Sequence, residues 1–544
     1  MPISEIDELA DAHLAHMAHL DPCAASRMSI GGSETELTDY SPAGVEARAD
    51  RLRQTKSALA ELDPTNGDTV TAHLLGERVG ALLDQYEAGD FLGLLGTING
   101  PVSAIRSAFD NMPKATDEDW DVVGSRLSKV PGAVASIRDG VTATIAASHS
   151  PVHRQVLATI KQCETWSGAP GTGGWFASLA ESRVELEPLA VAAGEALREL
   201  GDWLQAEVVP VANPVDAVGE EKYRRAARMM QGTDLDPREA YGWAWDELHR
   251  LEAEARATID AIVPGASFVE AKAHLDDLTA IEGVGPWLAW LQSLTDTTTE
   301  QIQGTYFDID PALIACEAML PPAGVAAAPY YTPPSEDLRV PGRTWYPTLG
   351  RERLPTWEMT TTVFHEAVPG HHLQIGRVKV LAGLCRYRRN TFVSAHGEGW
   401  ALYAERLMDE LGAYADDPGG RLGFLSFQML RAARVVIDIG LHLGYSIPDD
   451  EQHGGQAWSP EIARAMMVER CGLTEAFAAS EVDRYLGWPA QAIGYKLGER
   501  EWLAAREEAR AAQGATFDLK AWHSKALDLG SLGLTQMRDE LNRP

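Results

Sequence analysis

The sequence predicts a mainly α-helical protein, and three observations carry that prediction. Apolar residues recur every three or four positions through most of the 544-residue chain. Strand-like alternation is scarce, and no internal repeat or low-complexity tract interrupts the helical pattern. A single stretch departs from it: "LPPAGVAAAPYYTPPSEDLRVPGRTWYPT", residues 320–348, whose prolines and aromatics suit a loop with short edge strands.

Taken in order, the N-terminal "MPISEIDELADAHLAHMAHLDP" reads as an acidic amphipathic helix. It lacks the basic lead and uninterrupted apolar run of a signal peptide. Its "HLAHMAH" (13–19) spaces three histidines at i, i+3 and i+6 with no acid or cysteine at ligand spacing, so it reads as helix surface. "SPAGVEARADRLRQTKSALAELDP" (41–64) has a Ser-Pro start, an amphipathic body and a proline stop. Similar patterns fill 72–97, 102–111, 152–164, 183–207, 237–261 and 267–280. After 348 they return over 355–387, 394–412, 421–445, 460–470, 474–485 and 488–513. The order gives an N-terminal helical wall (1–319), the irregular segment (320–348) and a second helical half (349–544) that carries the clustered histidines. The three are expected to intertwine as one unit.

Composition narrows the function. The chain is 45% hydrophobic, and 79 acidic against 47 basic residues leave a formal charge of −32. Such a charge disfavours nucleic acid and anionic membranes and leaves small or peptidic partners. No stretch approaches 18 consecutive apolar residues, so no membrane span is expected. Cys23, Cys163, Cys316, Cys385 and Cys471 are odd in number and form no CxxC pair. They read as free buried thiols of a reducing compartment, and the expectation is a cytoplasmic protein. A homodimer is left open.

Chemistry concentrates in "TTVFHEAVPGHHLQ" (361–374). Three of the fifteen histidines fall within eight residues, with an acid beside the first. The usual zinc-peptidase motif, H-E-x-x-H, places two histidines on one helical face. Here the second comes late. On an unbroken helix His371 lies about 600° round from His365, near the opposite face, and His372 lies about 10.5 Å along the axis. Pro369 changes this, because it lacks an N–H and clashes with the carbonyl four residues back, that of His365. Gly370 beside it relaxes the backbone. A bulge over 367–370 is therefore expected to swing His371 towards His365, and His371 is preferred to His372 as the second ligand. His372 would then turn elsewhere, around the ligands or towards substrate.

A catalytic zinc takes three protein ligands and keeps a position open. The third is sought on "SAHGEGWALYAERL" (394–407), where Glu398 and Glu405 share a face. Glu398 stands 27 residues after His371, between two glycines that allow close helix approach. Glu405 is the fallback ligand, or an acceptor that orients a ligating histidine. Glu366 is the candidate general base, passing a water proton to the leaving amine. On "RAARVVIDIGLH", Arg434, Asp438 and His442 follow at i, i+4 and i+8. They read as a buried ion-pair network or, through Asp438, as an acceptor for a ligating histidine. His396 either reaches the site or caps its helix. Tyr330 and Tyr331 either lie on an edge strand that pairs with substrate or cover a core. Arg377, Lys379, Arg386, Arg388 and Arg389 form a basic run that either holds a peptide carboxylate or braces a helix end.

Together "HEAVPGHHLQ", "HGEGWALYAERL", "RAARVVIDIGLHLG" and "GWPAQAIGYKLGERE", with "LTDYSPAGVEARADRL" and "APYYTPP", resemble the family numbered 885 among domains of unknown function, over nearly the whole chain. That family resembles in turn the Taq-type zinc carboxypeptidases and, more distantly, neurolysin and thimet oligopeptidase, which are gluzincin metallopeptidases. The resemblance implies a large helical fold with two helical walls around a deep groove and a small β element near the active site. It implies one zinc per chain and zinc-dependent peptide hydrolysis, as a carboxypeptidase or oligopeptidase. Carried over, His365, His371 and Glu398 match the metal ligands and Glu366 the general base. Tyr495 is similar to late tyrosines that donate to the oxyanion; otherwise it is half-buried packing. Gln491, one turn earlier, would line the same wall. The two-residue insertion in the first motif is the departure. The alternative readings are a zinc hydrolase of another amide or ester, or a catalytically inactive metal-binding protein.

Overall fold

The computed structural model describes residues 4–65, 67–110, 112–321, 328–335 and 338–543. The chain is mainly α-helical, with five short strands among the described residues. Many helices begin the same way: a Ser or Asp side chain caps the first turn and a proline occupies its first position. Ser41–Pro42, Asp236–Pro237, Asp417–Pro418 and Ser459–Pro460 all start helices so. The cap satisfies orphan N–H groups, and proline's missing N–H costs nothing there.

The chain divides into two compact units, Pro2–Ala226 with Ser480–Pro489, and Ala227–Ala479 with Ala490–Pro544. These bounds differ from the expected ones at 319 and 348, which followed a change of composition, whereas the units follow packing. In the first unit the helices Val130–Ala146, His153–Ser167 and Glu187–Trp203 close around an apolar core that includes Ile137, Val156 and Leu197. His13, expected on a helix surface, is buried there instead and bonds through Nδ1 to Thr55 Oγ1 at 2.9 Å. Burial pushes its pKa down to about 4. It lies on the face that Glu5–Leu20 turns to Pro42–Ala60, a face the i, i+3, i+6 spacing could not identify.

The second unit carries the histidine cluster. Its helices are named α1 (Pro237–Ile262), α2 (Val284–Ile302), α3 (Met359–Glu366), α4 (His371–Val380), α5 (Ser394–Glu410), α6 (Pro418–Leu443), α7 (Gly494–Gln513) and α8 (Leu519–Asp528). Helix α6 is apolar nearly all round and nearly all buried, the pattern of a central helix. It packs along α1 and against α3, while α5 packs along α7. The α5–α7 approach is set by glycine. A Cβ on Gly399 would stand 2.5 Å from the Gly498 Cα, so neither residue tolerates a side chain.

The strands are β1 (Ala280–Glu282), β2 (Cys316–Met319), β3 (Tyr330–Thr332), β4 (Gly342–Trp345) and β5 (Arg353–Pro355). β1 pairs antiparallel with β5; β4 lies between β2, parallel, and β3, antiparallel. A core of Trp287, Leu291, Cys316, Tyr346, Val363 and Ala367 joins α2, this sheet and α3. Fully burying each such apolar side chain contributes about 1.5–3 kcal/mol, which anchors the last turn of α3. The segment read at 320–348 thus forms strands where it is described; residues 322–327 and 336–337 lie outside the described residues.

Candidate metal centre

The centre is built on the break between α3 and α4. The single helical run expected here is two helices: α3 ends at Glu366, Ala367 leaves helical geometry, the Val368–Pro369 peptide is cis, and α4 restarts at His371. The His372 N–H closes the turn on the Ala367 carbonyl at 3.1 Å. The Pro369 carbonyl accepts from Trp400 Nε1 at 3.0 Å, which fastens the turn to α5. Gly370 has no left-handed backbone to justify it (φ −72°). Its reason is proximity: a Cβ there would run into the carbonyls of His365 and Phe364.

This turn brings His371 against His365, with ring centroids 4.9 Å apart and ring planes at 86°. Glu398, one turn into α5, faces both. Its Oε2 lies 3.5 Å from His365 Nε2 and 3.6 Å from His371 Nε2. A zinc ion binds such donors at about 2.0–2.1 Å, and tetrahedral ligands at that length stand about 3.3 Å apart. The three donor atoms lie within 4.8 Å of one another, so the set fits a small dication with little adjustment. Two neutral imidazoles and one carboxylate are also a donor set that zinc accepts.

Around the donors, Glu405 accepts from His365 Nδ1 at 2.7 Å and from Thr361 Oγ1 at 3.0 Å. The Nδ1–H bond fixes the tautomer that leaves His365 Nε2 free to ligate. Burial alone would raise the Glu405 carboxyl; the His365 bond and the Arg431 charge outweigh it and hold the group low. Glu398 is likewise held low against burial, by bonds from His365 and His371. His365 is pulled up to about 9, because Glu398 and Glu405 together outweigh its burial. Half-buried Glu366 goes the other way: burial raises its carboxyl, against the pull of His365 and His371. A raised carboxylate close to the donors is a competent proton acceptor.

Other expected residues stand elsewhere. His372 is not with the donors: its Nε2–H donates to the Leu313 carbonyl at 2.8 Å, and its Nδ1 accepts from Tyr331 OH at 2.9 Å. Fully buried, it is pushed down to about 4 and stays neutral. Tyr331 therefore ties edge strand β3 to α4, and Tyr330 stacks on Trp345 at 5.9 Å. His396 is buried away from the donors, accepting from the Leu532 N–H at 3.3 Å and packed on Trp502 at 4.9 Å. It neither caps its helix nor reaches the site, because its helical position faces α7. Asp438 Oδ2 accepts from the Ala490 N–H at 2.9 Å, so the acceptor behind His365 is Glu405 and not Asp438. Gln491 and His442 are buried. Tyr495 is half-buried at the start of α7, with the Arg434 guanidinium 5.0 Å and that of Arg431 5.9 Å from its ring centroid. Two residues of the basic run brace the end of α8: Arg377 pairs with Asp528 at 2.6 Å, and Arg388 donates to the Leu529 carbonyl at 2.7 Å.

Sequence reasoning missed Thr361, Trp400 and Arg431. Thr361 and Trp400 lie inside quoted motifs but far in sequence from their partners Glu405 and Pro369, and a threonine and a tryptophan carry no ligand signal. Arg431 stands one turn before Arg434 on a helix otherwise apolar at nearly every position, and that contrast was the available clue.

Comparison with known proteins adds the family and the fold. No curated protein matches the chain. Among solved structures, a candidate lipoprotein from Colwellia psychrerythraea superposes with a TM-score of 0.85 at 24% identity, over 99% of this chain and 98% of its own. A candidate lipoprotein of unknown function from Shewanella oneidensis superposes with a TM-score of 0.77 at 19% identity, over 99% of this chain and 100% of its own. Both descriptions overturn the cytoplasmic expectation. Its basis was weak in physical terms: all five cysteines are free and buried, where a thiol packs as a small apolar group and reports nothing of its compartment. Among the described residues no helix is long and apolar enough to cross a membrane. The model of the bacterial proteins of unknown function called DUF885 matches residues 22–541, and the chain belongs to that family.

Proposed function

We propose that the protein is a zinc-dependent peptide hydrolase, a carboxypeptidase or oligopeptidase, with zinc held by His365, His371 and Glu398. The observation that carries this reading is the convergence of three donors from three helices, α3, α4 and α5, across the turn that joins the first two. Bound zinc would supply acidification of water to a pKa of about 7 and polarisation of the scissile carbonyl. The chain's own residues do the rest. Glu366 takes the water's proton and delivers it to the leaving amine as the C–N bond breaks and the water oxygen joins the carbonyl carbon. Glu405 keeps His365 in the ligating tautomer. Tyr495 is the candidate donor to the developing oxyanion.

The test is metal content by mass spectrometry, on wild type, His371→Ala and His372→Ala purified without added metal and then exposed to zinc. The expected result is about one zinc per chain, lost with His371→Ala and retained by His372→Ala. Peptide-library digestion follows, with Glu366→Gln expected to keep zinc and lose turnover. No zinc in the wild type would remove the reading. A zinc-loaded chain that cuts no peptide would leave only the metal site.

A further inference from the structure

Arg431 is out of place in this molecule. The chain carries 79 acidic residues against 47 basic ones, so carboxylate partners are abundant. Yet among the described residues its guanidinium makes no hydrogen bond and no ion pair. Nε and Nη1 are both buried without a partner, and no other arginine of the described residues has two such nitrogens. The guanidinium has aromatic neighbours instead, with ring centroids at 4.8 Å for Phe427 and 5.9 Å for Tyr495. Ring neighbours attract the charge without using its N–H groups. A half-buried guanidinium with two buried, unused nitrogens is costly, and native proteins keep one where something else completes it.

The surroundings say what completes it. Arg431 lies within electrostatic reach of Glu366, Glu398 and Glu405, so it belongs to the metal centre. Arg434, one turn on, stands 5.0 Å from the same Tyr495 ring. Two guanidinia on one helix around one ring repel each other, and an anion between or beside them relieves that repulsion. A planar guanidinium with free edges matches a carboxylate, which it can grip with two parallel bonds. Within the basic run after the first motif, Arg377 and Arg388 do not compete for this role, since they are engaged with α8.

We propose that Arg431 is the carboxylate-binding residue of this centre and that the substrate is a peptide with a free C-terminal carboxylate next to the scissile bond. The proposal rests on the zinc-hydrolase reading and narrows it from peptides in general to carboxypeptidase substrates. The carboxylate could come from the chain end or from an acidic side chain; the proposal commits to the chain end.

Three probes separate these sources: N-acetyl-trialanine, its C-terminal amide, and the amide with aspartate as its last residue. Binding is measured by calorimetry on the Glu366→Gln chain, zinc-loaded and metal-free, so that turnover is not required. The free acid is expected to bind about 10- to 100-fold more tightly than either amide. Arg431→Met should bring the acid-to-amide ratio close to one, and Arg431→Lys should restore part of it, with melting temperature and zinc content checked for both. Equal binding of acid and amide overturns the proposal. So does an undiminished ratio in folded, zinc-loaded Arg431→Met, or an aspartyl amide that matches the free acid. If Arg431→Met does not fold, the wild-type ratio and Arg431→Lys decide. A chain that cleaves acid and amide alike keeps the zinc-hydrolase reading and loses this one. A chain that binds no zinc loses the former, while acid-over-amide binding by the metal-free chain still tests the anchor.

Discussion

Replacing Gly370 with alanine tests the turn that makes the centre. The added Cβ would lie 2.5 Å from the His365 carbonyl carbon, and ordinary contact begins at 3.4 Å. Backbone atoms cannot rotate aside, so the α3 and α4 ends must separate by about 0.9 Å at least, the difference between those two distances, since the His365 and Phe364 carbonyl oxygens lie closer still. Metal sites hold their ligand distances to about ±0.2 Å. The displacement therefore exceeds the tolerance several-fold and falls on the residue joining the two ligating segments. Zinc affinity is expected to drop about 100-fold or more, the effect of misplacing one ligand, while overpacking costs about 1–3 kcal/mol of stability. The assay is zinc titration against a chromophoric chelator, with Gly383→Ala as control because a Cβ there meets nothing within 4 Å. Wild-type zinc affinity in a folded Gly370→Ala chain would refute the claim that this close approach positions His371.

Three further outcomes are expected. Glu405→Gln should keep the hydrogen-bonding shape but lose the charge behind His365, lowering zinc affinity about 10- to 100-fold in the same titration; an unchanged affinity removes Glu405 from the centre. Tyr331→Phe deprives buried His372 Nδ1 of its donor, so stability should fall by about 1–3 kcal/mol in denaturant unfolding with zinc stoichiometry unchanged; a loss of zinc would mean that His372 acts on the metal after all. His523 is pushed down to about 4, chiefly by burial, while its unfolded value is 6.5. Between those values the unfolded chain binds a proton that the folded chain refuses. Stability is thus whole above pH 6.5 and is lost as pH falls towards 4, by up to about 3 kcal/mol. Urea unfolding from pH 7 to 4 should show that loss, and His523→Gln should flatten it; an equally steep profile in the variant would shift the effect to other groups.

How much was legible in the sequence depends on what each inference needed. Helix starts were readable because a capping side chain and a following proline act locally, and 41–64, 237–261 and 460–470 correspond closely to Pro42–Ala60, Pro237–Ile262 and Pro460–Cys471. Helices such as Val284–Ile302 and Leu519–Asp528 were not singled out, since their burial is decided by neighbours distant in sequence. At the metal centre, Pro369 and Gly370 announced a disrupted helix. The form of the disruption was not readable: a helix end and restart, held by Trp400 from α5. Gly370 was assigned to conformational freedom, but its role is close contact, which only the fold reveals. The choice of Glu405 over Asp438 as the acceptor behind His365 likewise required knowing which helices meet.

The charge around the centre links the acidic chain to its chemistry. Glu366, Glu398 and Glu405 bring three carboxylates close to two histidines, while Arg431 lies within reach of all three yet bonds to none. A dication between His365, His371 and Glu398 would offset the negative charge of these carboxylates. That balance accounts for Glu405 and Arg431 standing near each other unbonded: each has a different partner to serve, the histidine in one case and an incoming anion in the other. If Arg431 existed only to offset the glutamates, pairing with one of them would be cheaper than leaving two donors buried and unused. Its unpartnered donors are therefore the feature that separates a structural countercharge from a substrate contact, and Arg431→Met distinguishes them. A countercharge should lower zinc affinity when removed, through loss of balance, with the acid-to-amide ratio untouched. A substrate contact should lose the ratio.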